Sequence, residues 1–236
     1  MGLFLYSDAK NIMATDYYIV GNLRKDYEES YSKLGHRWKE YVQRGYDIID
    51  KVQKDGLLLV GINPLFDESF EGSCEGKVRD SEKGGYKHPY FTKPKKLNDA
   101  IGISSFSHVD MFPVRSRPQH VVQDIFNDPD SQEFVEEQLK LFRMIVDGAS
   151  PRAIVVVNAF ASHLIRKGRA LGALDYDEEL GVDIYKIGEK RVPVFYSGML
   201  LGAHAVDNGS FDRLIWHIKY VLNMQSENSS QLRVNS

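Results

Sequence analysis

At 236 residues, 42% of them hydrophobic and 27% charged, the chain has an ordinary globular composition near the upper length that one hydrophobic core serves. Its single cysteine, Cys74, excludes a disulfide framework and any four-cysteine metal or iron–sulfur site. A formal net charge of -3 supplies no global attraction to nucleic acid, so any such contact must come from local cations.

The opening run Met1-Gly2-Leu3-Phe4-Leu5-Tyr6 is too short for a secretory segment, and no stretch approaches the ~20 apolar residues that span a bilayer. The expected compartment is the reducing cytoplasm. Residues 24–54 read as helical, with Trp38, Tyr41, Val42, Gly45, Ile48, Ile49 and Val52 at three- and four-residue spacing and Gly56 as the stop. Residues 57–62 form a continuous apolar run too short for a helix. They predict a strand buried on both faces, as in a parallel sheet.

Residues 66–92, with Gly72, Gly76, Gly84, Gly85 and Pro89, are the one long irregular excursion, a feature that usually carries function. A second strand is expected over 107–112, ended by Pro113. Asp128-Pro129 supplies an N-cap and a first helical residue for a helix to about Asp147, closed by Gly148. Residues 153–157 form the clearest strand and lead into a helix with Phe160, Leu164 and Ile165. A hairpin follows over 182–187 and 192–196, where Pro193 favours an edge position or a strand's first residues. The last helix begins near Asn208, and the polar stretch from Gln225 is expected to be disordered. The alternation predicts one α/β domain over 1–224. Its fold is a three-layer α/β/α sandwich around a short, mainly parallel sheet, with ligands beyond the carboxyl ends of the strands.

The loops at those ends carry the candidate chemistry. After the first strand comes Gly61-Ile62-Asn63-Pro64. Glycine allows close backbone approach, proline fixes the exit, and the Asn63 amide either orients a water or a ligand hydroxyl or satisfies its own turn. No Gly-x-Ser-x-Gly elbow, Gly-x-Gly-x-x-Gly turn or Gly-Lys-Ser/Thr loop is present, and no His, Asp and Glu cluster at metal-ligand spacing. No cofactor is expected. The cations Lys93, Lys95, Lys96, Arg115 and Arg117 are either solvated surface or a local nucleic-acid patch.

In this context Gly61-Ile62-Asn63-Pro64 resembles the first motif of the uracil-DNA glycosylase superfamily, in the form of its mismatch-specific and single-strand-selective branches. His88-Pro89-Tyr90-Phe91 is similar to the family's base-stacking segment, with Tyr90 in the stacking place. Asp110-Met111-Phe112-Pro113-Val114 is similar to its base-reading segment, with Asp110 where the family has asparagine. Asn158-Ala159-Phe160-Ala161 is similar to its third strand-to-helix step. The family commonly ends its fourth strand with His-Pro-Ser or Asn-Pro-Ser. This chain has Tyr196-Ser197-Gly198-Met199-Leu200-Leu201 instead, and His204 follows a few residues later.

The resemblance implies metal-free hydrolysis of an N-glycosidic bond in DNA by a monomer. Asn63 would hold the water, and His204 or amides near Ser197 and Gly198 would stabilise the departing base. Gly61, Ile62, Pro64, Tyr90, Asp110 and Asn158 would line the base pocket. Lys93, Lys95, Arg115 and Arg117 would rim a DNA groove, and Met199 and Leu200 would form a wedge. An ionised Asp110 offers only acceptors, which suits a base edge rich in donors; alternatively it pairs with a nearby cation. A non-catalytic binding protein of the same fold and a small-nucleoside hydrolase are the other readings.

Overall fold

A computed structural model describes residues 17–65, 77–79, 89–118, 120–200 and 205–234. The elements are β1 (Tyr17–Ile19), α1 (Arg24–Tyr31), α2 (Lys39–Arg44), β2 (Asp47–Ile49), β3 (Lys51–Gln53), β4 (Leu57–Gly61), β5 (Lys77–Arg79), α3 (Thr92–Ile101) and β6 (Phe106–Asp110). They continue with α4 (His120–Phe126), α5 (Gln132–Ala149), β7 (Ala153–Val156), α6 (Ala159–Arg166), β8 (Asp175–Asp177), β9 (Val182–Ile187), β10 (Lys190–Tyr196) and α7 (Asn208–Val234).

A six-stranded sheet runs in the order β6-β4-β7-β10-β9-β8. β6, β4, β7 and β10 are parallel, and β9 and β8 extend the sheet by antiparallel pairing. Side chains of β4 alternate between two cores. Leu57 and Leu59 pack with Leu97 of α3 and Phe211, Ile218 and Val221 of α7. Leu58 and Val60 pack with Phe134, Phe142 and Ile145 of α5 and Leu164 and Ile165 of α6. Every β4 residue is therefore buried, which is why its sequence is apolar without alternation. Helices on both faces of a mostly parallel sheet make this the mixed α/β architecture that the alternation of elements predicts.

The largest departure lies within residues 24–54, where 24–31 and 39–44 are helical as expected but the remainder is not one helix. Gly45 adopts a left-handed φ of 67° and ends α2. Ile48, Ile49 and Val52, expected on a helix face, lie instead in β2 and β3. There β2 pairs with β5 and β3 with β1, partnerships that recruit the β-branched residues into strands. Helices α3 and α4 were not anticipated. As expected, Asp128 is the N-cap and Pro129 the first residue of a 3-10 turn (Pro129–Ser131) that leads into α5, although the Asp128 carboxylate accepts from Trp38 Nε1 at 2.8 Å and Ser131 Oγ at 2.7 Å and not from the helix backbone.

Pro193 sits inside the sheet, not at its edge, but the ladder from β10 to β7 begins one residue later at Val194. From Gln225 the polar sequence continues α7 to Val234, where composition predicted disorder; extending an existing helix is far easier than nucleating one. No helix among the described residues is long and apolar enough to cross a membrane.

Candidate functional site

The parallel register sets the carboxyl ends of β6, β4, β7 and β10 along one edge of the sheet. Val60 lies between Val109 and Val156, and Val156 pairs with Tyr196. Backbone bonds prolong the edge into the loops: Met111 N to Gly61 O at 3.1 Å, Phe112 N to Ile62 O at 2.9 Å, and Val157 N to Val60 O at 2.9 Å. From β4 the chain crosses through α3 to β6; from β6 it returns on the other face through α5 to β7. The strand order thus reverses between β4 and β7, the place where open α/β sheets hold ligands. Asn63 and Asn158 follow the two strands that flank it.

Asn63 is half-buried, and its carboxamide has a fixed orientation. Nδ2 donates to Ser116 O at 2.9 Å, Pro64 O at 3.1 Å and Val114 O at 3.3 Å. With the amide protons committed to the loop after β6, Oδ1 is left buried and without a hydrogen-bond partner. Asn158 has a local role that the family resemblance did not bring out. Its Oδ1 accepts from Phe160 N at 2.8 Å and Ala161 N at 3.0 Å, so it caps α6.

Asp110 belongs to a buried ionic cluster rather than to an open pocket. Its carboxylate lies 4.0 Å from Arg79 Nη2, and Arg79 Nε bonds Asp47 Oδ1 at 2.6 Å. His108 shares the strand face of Asp110 by its two-residue spacing. Burial pushes the Asp47 carboxyl up, with Arg79 opposing it, and holds the His108 imidazole below its ordinary range against the pull of Asp110. Sequence reasoning passed over Asp47, Arg79 and His108. The alternation His108-x-Asp110 was the available signal, but Asp47 and Arg79 join only through the β2–β5 pairing.

Several expected site residues are engaged inside the fold. Ile62 and Pro64 are buried, Ile62 in the core of the α5 face. Arg115, expected on a DNA-binding rim, is 1% exposed and donates to Arg44 O at 2.8 Å. Lys93 donates to Val206 O at 2.8 Å. Leu200, expected as a wedge, is packed in the core beneath α7, while Met199 is half-buried. The Ser197 amide is held by Val156 O at 2.8 Å, and Gly198 next to it is exposed. Lys95 and Arg117 are exposed as expected. His204 and the side chain of Tyr90 lie outside the described residues. Its neighbour Phe91 is buried edge-on against His108, with ring centroids 5.7 Å apart.

A depression of about 580 Å³ opens farther along the same edge, lined by Arg166, Tyr176, Asp183, Tyr196, Leu214 and His217 among others. Among the described residues no group of His, Cys, Asp and Glu could hold a metal ion. No protein-family model matches this chain, and a search of curated proteins gives no match.

Proposed function

We propose that the protein hydrolyses an N-glycosidic bond of a base in DNA at the crevice between the ends of β4 and β7, with Asn63 orienting the attacking water. The observation that carries this reading is the Asn63 carboxamide, anchored by three carbonyls so that its Oδ1 is the one unsatisfied valence. A buried acceptor without a partner costs about 1–3 kcal/mol, and a catalytic role or an ordered water is among the reasons that native proteins keep such groups. A water donating to Oδ1 would have its lone pairs directed away from the amide. As the water oxygen bonds the anomeric carbon the C–N bond breaks, its electron pair leaves with the base, and the proton lost by the water passes through solvent to the departing base. A backbone donor at Gly198 would meet that developing charge. The motif Gly61-Ile62-Asn63-Pro64, and the position of Asn63 at the reversal of strand order, support the same reading.

A strand-scission assay after alkali, on oligonucleotides carrying a panel of damaged and mismatched bases, tests it. Cleavage by the wild type, reduced about 100-fold or more in Asn63→Ala, is the expected result. A second reading, hydrolysis of free nucleosides, is favoured by the engagement of Arg115 and Lys93 within the fold, which removes two of the four cations expected to rim a DNA groove. Turnover confined to nucleosides would select it, and inactivity on both substrate classes would overturn both.

A further inference from the structure

The depression beside β10 is built from residues that no role above uses. Three strands lay a polar row across it: Tyr176 of β8 lies opposite Asp183 of β9, and Asp183 lies opposite Val194 of β10. Directly paired residues share a sheet face, and Tyr196 rejoins that face two residues after Val194. From α6, Arg166 places its guanidinium carbon 4.0 Å from the Tyr196 ring centroid. Tyr196 donates to Asp183 Oδ2 at 2.7 Å. Burial, followed by the bond to Asp183, raises the phenol well above its ordinary value, so it remains a donor. The row therefore offers a guanidinium with no carboxylate partner among the described residues, a carboxylate with one oxygen uncommitted, and at Tyr176 a ring that is 63% exposed.

We propose that this depression binds a nucleoside monophosphate: the phosphate on Arg166, sugar hydroxyls donating to Asp183, and the base stacked on Tyr176. A guanidinium suits phosphate oxygens, a carboxylate suits hydroxyl donors, and an exposed ring suits a flat heterocycle. The volume of about 580 Å³ falls in the ordinary range for small-ligand sites. The surrounding charge limits the ligand to one phosphate. Asp175 and Asp177 are paired with Lys186 and Arg191, but Glu178 and Glu179, exposed in the turn between lining residues Tyr176 and Gly181, have no ion-pair partner among the described residues. A second or third phosphate would bring more negative charge toward those carboxylates.

Isothermal titration of the full chain with AMP, ADP, ATP, adenosine, phenylalanine and a 5′-phosphorylated oligonucleotide tests the proposal. Saturable binding is expected, tightest for AMP and falling through ADP to ATP, the reverse of the usual order at phosphate sites. Arg166→Gln and Tyr176→Ala, both at exposed positions, should retain the wild-type thermal transition and each weaken AMP about 10-fold or more. Asn63→Ala should bind AMP as the wild type does, which separates this site from the reading at Asn63. Tighter binding of ATP, phenylalanine or the oligonucleotide would overturn the proposal. So would AMP binding unchanged in both depression variants, or no saturation by any compound.

Discussion

The two ends of the sheet's carboxyl edge use the same kinds of side chain in opposite ways. Around β4 and β6, arginine, aspartate and asparagine are turned inward: Arg79 holds Asp47, Arg115 holds the Arg44 carbonyl, and Asn63 ties the loop after β4 to the loop after β6. Around β9 and β10, arginine, aspartate and tyrosine form a row whose Arg166 and Tyr176 are exposed to solvent. The difference follows the layering. The β4 end lies under β2, β5 and the loop after β6, and burial there favours pairing of its charged and polar groups, with Asn63 Oδ1 left as an exception. The β10 end adjoins the antiparallel extension of the sheet, where Arg166 of α6 and Leu214 and His217 of α7 line a depression that is open to solvent.

If the inward cluster stabilises the fold, its removal should produce the largest loss in the molecule. Arg79→Ala strands two carboxylates whose side chains are only 8% and 7% exposed, and should cost about 3–5 kcal/mol by urea denaturation. A loss below about 1 kcal/mol would erase the contrast between the two ends, because it would mean that the carboxylates are solvated.

The next effect concerns the direction of one carboxamide. Asn63→Asp turns an acceptor toward three carbonyls and should cost about 2–3 kcal/mol, against about 1 kcal/mol for Asn63→Ala, which merely deletes the bonds. Equal losses would show that the three contacts do not hold the amide.

The smallest effect is a slope. Burial holds the folded-state pKa of His108 below its ordinary 6.5, so the unfolded chain takes up a proton there before the native one does. The contribution of neutral His108 is thus present above pH 6.5 and lost as the pH falls through that value toward the lower folded pKa. His108→Gln should flatten the decline of stability below pH 6.5 in urea midpoints measured across pH. An unchanged slope would assign that decline to other groups.

The pattern of what could be read in the sequence has a physical basis. β4 and β7 were legible because burial on both faces leaves an unmistakable apolar run, and the β9–β10 hairpin because Gly188-Glu189 separates two segments rich in Val, Ile and aromatic residues. Residues 24–54 were not, because the spacing of Tyr41, Val42, Gly45, Ile48, Ile49 and Val52 fits a helix; what decides is pairing with β5, whose Val78 lies thirty positions past Ile48. The strand end itself was legible at Asn63, where Gly, Asn and Pro punctuate it and the Asn63 amide donates to carbonyls around it. Burial of long cations was not: Arg115 and Arg117 read alike in sequence, and only packing sends one inward. The row at Arg166, Asp183 and Tyr196 comes from three separate elements, and no local pattern announces it.

One detail of the edge changes what its first glycine means. A β-carbon at Gly61 would stand 2.2 Å from Asp110 Oδ1 and 3.1 Å from His108 Nε2. The adjacent strand, some fifty positions downstream, thus already accounts for the absence of a side chain there. Positions 61 and 110 form a matched couple. Enlarging the first is compatible with the fold only if the second shrinks and the imidazole two residues before it gives way, so the opening letter of the tetrapeptide reports how β4 nests against β6.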